Sequence, residues 1–150
     1  MDLIKEISTT FSKKTQRNFI KFFSRKRPSS FRKDVKLFEE LNNHYKSNSY
    51  KKLSYKGDPN YHAIRKRITK ELINFLILEN SEDKSKSPSK EKILILAKYF
   101  IDFKKYSEAW SVLTKEEIKS KNSNDYLLSL KIQRLKLKIL PYYPQGDFKI

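Results

Sequence analysis

The residues in this sequence best suited to chemistry are cations, which crowd the segment from Lys13 to Lys33 with no acidic residue among them. Four of the seven arginines of the chain lie there. Positions four apart share one face of a helix, so Lys13, Arg17 and Lys21 form a row. Such a row, followed by an Arg-Lys-Arg turn, predicts a surface that binds a phosphate backbone. The candidate residues of this segment are Lys13, Lys14, Arg17, Lys21, Arg25, Lys26, Arg27, Arg32 and Lys33.

A second basic cluster, predicted to share a surface with the first, consists of Arg65, Lys66, Arg67 and Lys70. The alternative interpretation of both clusters is a solvated face that keeps a helical protein soluble. The overall balance of 34 Lys plus Arg against 17 Asp plus Glu is a weaker indicator than the clusters. Most of these cations are lysines, as an AT-rich coding sequence produces, whereas arginine is the more specific residue for phosphate and base recognition. The sequence contains no recognised motif for reading nucleic-acid bases.

Other arrangements that support catalysis or metal binding are not predicted. The two histidines, His44 and His62, fall on different predicted helices and have no carboxylate at ligand spacing. The sequence lacks a glycine-rich phosphate loop, a nucleophile elbow and a paired-carboxylate motif. It contains no cysteine, which excludes disulfides and thiolate metal sites. We therefore expect no catalytic, cofactor-binding or metal-binding residues, and a protein that is not an enzyme.

The length and the apolar pattern of the chain indicate a soluble protein. A chain of 150 residues fits one domain with a sizeable core. Its most apolar windows are much shorter than the roughly 20 residues of a membrane-spanning helix. The first ten residues, MDLIKEISTT, lack the apolar stretch of a signal peptide. The expected location is the cytoplasm.

The spacing of apolar residues predicts an all-α fold of about six or seven helices. Arg134 to Ile139 alternates with period two and resembles a strand, but a lone strand would have no partner for its backbone groups, so helix is preferred. The Asp58-Pro59 and Ser87-Pro88 pairs are typical helix starts. The predicted helices cover about 2–8, 13–24, a stretch that begins after Ser29 or Ser30, 59–80, 88–103, 106–120 and 125–140.

Composition divides the predicted single helical domain into subregions. Residues 1–80 form a basic N-terminal helical half, in which Asn42 to Asn60 reads as the longest ordered connection and Leu72 to Leu78 as a fully buried helix segment. Residues 81–89, with sequence SEDKSKSPS, have the composition of a linker. Residues 90–140 form further helices, and residues 141–150 an irregular tail.

Between residues 93 and 113, the small residues Ala97 and Ala109 and the aromatic residues Phe100 and Tyr106 occur at the spacing of two interlocking antiparallel helices. This pattern resembles a tetratricopeptide repeat. Thirty-five residues later, Leu128, Ile132 and Leu135 repeat part of the pattern. Ile132 stands where a small residue is usual, and Lys104 where a turn glycine is usual. The resemblance covers residues 90–140 and implies a right-handed stack of helical hairpins. The packing residues that carry it are Ile93, Leu96, Ala97, Phe100, Tyr106, Ala109 and Leu113.

Two functions are consistent with these patterns. The first is a protein-interaction scaffold or adaptor, in which the concave side of the hairpin stack receives an acidic peptide or helix. Either the first half caps this stack, or the chain is the N-terminal part of a longer solenoid. The first half, from the stretch SKKTQRNFIKFF to the stretch YHAIRKRITKELINFL, resembles N-terminal regions of uncharacterised bacterial helical-repeat proteins. The alternative function is non-specific binding of a nucleic-acid backbone by the basic N-terminal helices. An anionic membrane surface ranks behind both.

Overall fold

The computed structural model describes residues 1–26, 31–47, 59–80 and 91–143. These residues form seven α-helices and no strand, which confirms the predicted all-α fold. The stretch with period-two alternation, Arg134 to Ile139, is the last part of the seventh helix. The helices are α1 (Leu3–Ser8), α2 (Lys13–Lys26), α3 (Phe31–Ser47), α4 (Tyr61–Asn80), α5 (Lys92–Asp102), α6 (Tyr106–Asn122) and α7 (Tyr126–Ile139).

Side-chain caps fix the starts of several helices. The Ser12 hydroxyl accepts a hydrogen bond from the Thr15 N–H at 3.1 Å, and α2 begins at residue 13, where the sequence predicts it. Asp125 accepts from the Leu128 N–H at 3.1 Å at the start of α7. The prediction that Pro59 opens α4 is two residues early, because the first helical hydrogen bond runs from the Ile64 N–H to the Asn60 carbonyl. The predicted caps at Asp58 and Ser87 and the predicted start at Pro88 lie outside the described residues.

The end of α3 corrects the prediction of a connection from Asn42 to Asn60. Helix α3 continues to Ser47, so the first six residues of that stretch are helical. Two contacts explain the extension. The Tyr45 hydroxyl donates a 2.6 Å hydrogen bond to Asp2, which lies just before α1, and the Lys46 ammonium donates a 3.1 Å hydrogen bond to the Phe11 carbonyl. These bonds hold a turn that its polar composition alone does not favour. Residues 48–58 lie outside the described part.

The chain forms two compact units, residues 1–76 and 77–150, with the boundary inside α4. The core of the first unit, which we call unit 1, is a cluster of phenylalanines. Phe19 lies at its centre, with ring centroids 4.8 Å from Phe38 and 5.5 Å from both Phe23 and Phe75. The pairs with Phe38 and Phe75 are edge-to-face, a favoured aromatic geometry. Because Phe19 and Phe23 anchor α2, the opposite side of that helix is turned to solvent.

In the second unit, which we call unit 2, α5, α6 and α7 follow one another through short turns and contact each other pairwise. Two identical Schellman motifs join them. The Lys105 N–H donates to the Phe100 carbonyl at 2.8 Å, and the Asp125 N–H donates to the Ser120 carbonyl at 2.9 Å. Each motif needs one residue in the left-handed region, and these are Lys104 (φ 57°) and Asn124 (φ 56°). Lys104 therefore adopts the conformation expected of the glycine that it replaces.

The apolar segment near the end of α4 is mostly buried, with one exposed residue. The segment from Leu72 to Leu78 was expected to be buried on nearly all sides, and Leu72, Phe75 and Leu76 are buried. Leu78, however, is 46% exposed, because it lies in the last turn of α4. Within the described residues, no helix combines the length and apolarity needed to cross a bilayer.

Candidate interaction surfaces

Helix α2 presents a series of cations to solvent. Lys13, Arg17, Lys21 and Arg25 follow at intervals of four residues, with Lys14 beside the first. All five side chains are exposed, and none of them makes an ion pair in the part of the chain that is described. From the first to the last, the series extends over about 18 Å of helix axis. We refer to these five residues as the α2 cation row.

Arg65 is not part of an open basic surface. Its guanidinium lies 2.8 Å from the Asp2 carboxylate and donates a 3.0 Å hydrogen bond to the Tyr61 hydroxyl. Asp2 also caps α1 through the Ile4 N–H and accepts the Tyr45 hydroxyl. One carboxylate thus connects α1, α3 and α4, so the role of Arg65 in the described structure is to hold unit 1 together.

The electrostatics of this network follow from partial burial and mutual hydrogen bonding. Burial by itself raises the pKa of Asp2, but hydrogen bonds from Tyr45 and Arg65 outweigh it and lower the pKa overall. Burial and the hydrogen bond to Asp2 raise the pKa of Tyr45 to about 12. The network is therefore most stable with an ionised Asp2 and a neutral Tyr45.

Arg67 and Lys26 are also engaged within unit 1. Arg67 forms a two-pronged pair with Asp34, at 3.1 Å from Nε and 2.8 Å from Nη2, and Asp34 is fully buried. This hydrogen bond raises the pKa of Arg67. Lys26 lies 3.6 Å from the buried Glu71 and 5.0 Å above the Phe22 ring. Both cations offset a buried carboxylate, which would otherwise destabilise the fold.

The other predicted basic residues are distributed over two helices. Lys33 is exposed on α3, whereas Lys66 and Lys70 are exposed on α4. Arg27 lies outside the described residues, as does the side chain of Arg32. Within the described residues, the predicted cations that make no ion pair are therefore the α2 cation row, Lys33, Lys66 and Lys70, and whether they form one surface stays a prediction.

The residues predicted to pack the α5–α6 hairpin are brought together there. Ile93 and Tyr106 are partly exposed, and the Tyr106 ring stacks on Tyr142 at 4.9 Å. The partial repeat at Leu128, Ile132 and Leu135 also faces the core. The tetratricopeptide resemblance itself stays a prediction. The five buried hairpin residues are Leu96, Ala97, Phe100, Ala109 and Leu113.

Helix α7 carries a second apolar face, which the sequence interpretation did not single out. Leu127, Leu130 and Leu137 are 65%, 47% and 65% exposed. With about 100° of rotation per residue, these three leucines lie within about 80° of one another and nearly opposite the buried Ile132. The signal was present in the period-two alternation of the last turns, which places leucines on both sides of a helix. We refer to these three residues as the α7 leucine stripe.

The charges around the stripe are basic. Arg134 lies among the leucines and Lys138 beside them, and both are exposed and unpaired within the described residues. Lys131 contacts Glu91 at the start of α5. Lys136 lies 2.5 Å from Glu117 and 4.8 Å above the Trp110 ring, on the side of α7 that packs on α6. No acidic residue occurs within α7 itself.

The stripe begins at an open depression of about 680 Å³ beside the α6–α7 turn. Its walls combine polar groups of the turn with the first residues of α7, among them Tyr126, which is 78% exposed. The depression therefore extends the exposed side of α7 beyond the N-terminal end of the helix. It is lined by Glu116, Ser123, Asn124, Asp125, Tyr126, Leu127 and Leu128.

The described residues contain no group of three or more His, Asp or Glu side chains placed to hold a metal ion. His44 and His62 lie on α3 and α4 and pack edge-to-face against Tyr45 and Tyr61.

Comparison with protein-family models, curated proteins and solved structures finds no match. The described residues therefore offer two candidate surfaces for function, the α2 cation row and the α7 leucine stripe.

Proposed function

We propose that this protein is a non-enzymatic, helical protein-interaction module, and that the α7 leucine stripe receives an amphipathic helix with acidic flanks. The observation that carries the proposal is the two-sided apolarity of α7. One side, with Ile132 and Ile139 fully buried, packs within unit 2. The other side holds three leucines that nothing in the described residues covers.

An exposed leucine row on a rigid helix suits the recognition of another helix. In helix-in-groove recognition, apolar anchors at intervals of three and four residues along the partner supply the affinity. Leu127, Leu130 and Leu137 are spaced by three and seven residues, so one partner helix can cover all of them. Burying the exposed halves of three leucines contributes about 3 kcal/mol before the costs of association.

The charge around the stripe specifies the partner's chemistry. Beside the leucines, Arg134 and Lys138 are exposed and make no ion pair within the described residues, and α7 contains no acid to balance them. A partner with Glu or Asp beside its apolar row would pair with both cations. A second copy of α7 would instead bring Arg134 towards the cations of its twin, which opposes self-association.

The repeat interpretation of unit 2 agrees with this choice of partner. Helix α7 begins at Tyr126, 34 residues after α5 begins at Lys92, which is close to one tetratricopeptide period. In that interpretation α7 is the first helix of a further unit. The second helix of such a unit would need a face of α7 that α5 and α6 leave open, and the leucine stripe is such a face.

Fluorescence anisotropy with two labelled peptides tests the proposal. Both peptides have the same leucine row on a helical scaffold, one with glutamates and the other with lysines beside it. We expect the acidic peptide to bind and the basic peptide not to bind. The triple variant Leu127→Ser, Leu130→Ser, Leu137→Ser should bind the acidic peptide at least about tenfold more weakly. The matched control is Ile118→Ser on α6, which removes an equally exposed apolar residue (59%) and should leave binding unchanged.

Two results would refute this function. One is equal binding of the acidic peptide to the wild type and to the triple leucine variant. The other is self-association in sedimentation experiments that the same triple variant abolishes, because the stripe would then be a contact between copies of this chain.

A further inference from the structure

The α2 cation row is a second surface, independent of the α7 leucine stripe, and its geometry is regular. Four cations from Lys13 to Arg25 recur every fourth residue, each about 6 Å further along the axis and about 40° further around it. The phenylalanine cluster holds α2 in place from the inner side through Phe19 and Phe23. The row is therefore a rigid array of positive charges about 18 Å long.

The row opposes the local preferences of the helix that carries it. Lys13 and Lys14 occupy the first turn of α2, where the helix dipole favours negative charge and no acid is present. Like charges four residues apart, such as Arg17 and Lys21, repel each other as well. Unit 1 neutralises other cations, since Arg65 and Arg67 each have a carboxylate partner. The cation row receives no such neutralisation within the described residues, so its charges are available to an anionic ligand.

The chemistry around the row favours a nucleic-acid backbone over a membrane. Helices that lie in a membrane interface expose an apolar face that enters the lipid. None of the large apolar side chains of α2 is exposed, and Phe19 and Phe23 are fully buried. Arg17 and Arg25 each offer a planar fork that binds a phosphate through two hydrogen bonds. Evenly spaced cations on a rigid helix match the evenly spaced charges of a nucleic-acid strand, which has one phosphate per nucleotide.

We infer that α2 binds the phosphodiester backbone of nucleic acid through Lys13, Lys14, Arg17, Lys21 and Arg25, without reading bases. This is a separate activity from the proposed helix recognition by α7. Each neutralised phosphate releases counterions, so the affinity depends steeply on salt. Five contacts give a slope of log K against log salt concentration of about −4.5 on duplex DNA and about −3.5 on a single strand.

The test uses the full chain with labelled duplexes and single strands of about 20 nucleotides, DNA and RNA, titrated from about 50 to 300 mM salt. The variant Lys13→Glu, Arg17→Glu, Lys21→Glu should lose about 100-fold in affinity at the lowest salt. The matched control reverses three lysines of unit 2 that are exposed and make no ion pair in the described structure, and it has the same net charge: Lys92→Glu, Lys98→Glu, Lys115→Glu. It should lose less than about fivefold. The DNA and RNA arms report which nucleic acid binds more tightly.

Several outcomes would overturn the inference. Equal loss in the two variants would show that only net charge matters, and a slope near zero would show that phosphates are not the ligand. Tighter binding to poly-glutamate, or to phosphatidylcholine vesicles with about 30% phosphatidylserine, would assign the row to an acidic protein or a membrane. Circular dichroism checks the fold of each variant. If the charge reversal unfolds unit 1, the variant Lys13→Gln, Arg17→Gln, Lys21→Gln replaces it, with an expected loss of about tenfold.

Discussion

The two units of this protein leave opposite kinds of surface uncovered. In unit 1 the apolar residues are gathered around Phe19, and two arginines neutralise carboxylates within the unit. What remains exposed on α2 is charge. In unit 2 the core is formed by one face of each helix, and α7 has leucines on two opposite faces. What remains exposed on that helix includes an apolar row, the α7 leucine stripe, with Arg134 and Lys138 beside it.

The high net charge of the chain, +17, therefore comes from cations in different environments. Arg67 and Arg65 lie in ion pairs, whereas Arg17 and Arg25, identical in type, are free in the described structure. The two open surfaces are also expected to respond differently to salt. Binding by the α2 cation row should weaken steeply as salt rises, whereas binding by the α7 leucine stripe should persist.

The largest effect on stability is expected when a cation that forms an ion pair within unit 1 is replaced. Arg67→Met leaves Asp34 buried and without its partner, which should lower the free energy of unfolding by about 3 kcal/mol. The measurement is urea unfolding followed by far-ultraviolet circular dichroism. Lys66→Met, the exposed neighbour, should cost less than about 0.5 kcal/mol. Equal costs for the two variants would remove the distinction between paired and free cations.

Next in size is the contrast between the two faces of α7. Ile132→Ala creates a cavity in unit 2 and should cost about 2–4 kcal/mol, whereas Leu130→Ala, on the exposed face, should cost less than about 1 kcal/mol. Trp110, the single tryptophan, lies in unit 2 and reports its unfolding by fluorescence. A large loss in the Leu130 variant would mean that the leucine stripe belongs to the core.

A pH experiment examines the network at Asp2. The pKa of Tyr45 is raised to about 12 in the fold, against about 10 in an unfolded chain, so its contribution is complete below pH 10 and is lost between pH 10 and 12. The lowered pKa of Asp2 acts in the other direction, with stability present above about pH 4 and lost as the pH falls. Tyr45→Phe should cost about 1 kcal/mol at neutral pH. The wild type and this variant should converge in urea midpoint towards pH 12; a constant difference would contradict the assignment.

A smaller effect, of opposite sign, is expected at the α5–α6 turn. Lys104 has a positive φ, which glycine adopts without the steric cost that a side chain incurs. Lys104→Gly should therefore stabilise unit 2 by about 1 kcal/mol, visible as a higher urea midpoint of Trp110 fluorescence. Asn124→Gly at the equivalent turn should gain less, because asparagine tolerates this conformation. Destabilisation by Lys104→Gly would show that the lysine side chain makes a contact of its own.

The sequence predicted the helices and the buried side of each, because burial follows the helical period through residues such as Phe19 and Ile132. It also predicted that Lys104 replaces a turn glycine. It could not predict which cations are paired, since Arg67 and Asp34 are 33 residues apart and meet only when α3 packs near α4. The leucine stripe was missed for a related reason. Sequence periodicity reveals that α7 has two apolar sides, but only the packing of α5 and α6 determines which side is covered.

We infer that the α2 cation row serves a partner and not the fold, and a double variant of its first two lysines separates these two roles. Lys13→Glu with Lys14→Glu places carboxylates in the first turn of α2, where the helix dipole favours them. Unfolding of the variant and its binding to labelled DNA are measured on the same preparation. We predict a gain in stability of about 1 kcal/mol together with a loss of DNA affinity of at least about tenfold, and unchanged binding of the acidic peptide. A loss of stability, or DNA affinity equal to that of the wild type, would contradict the claim.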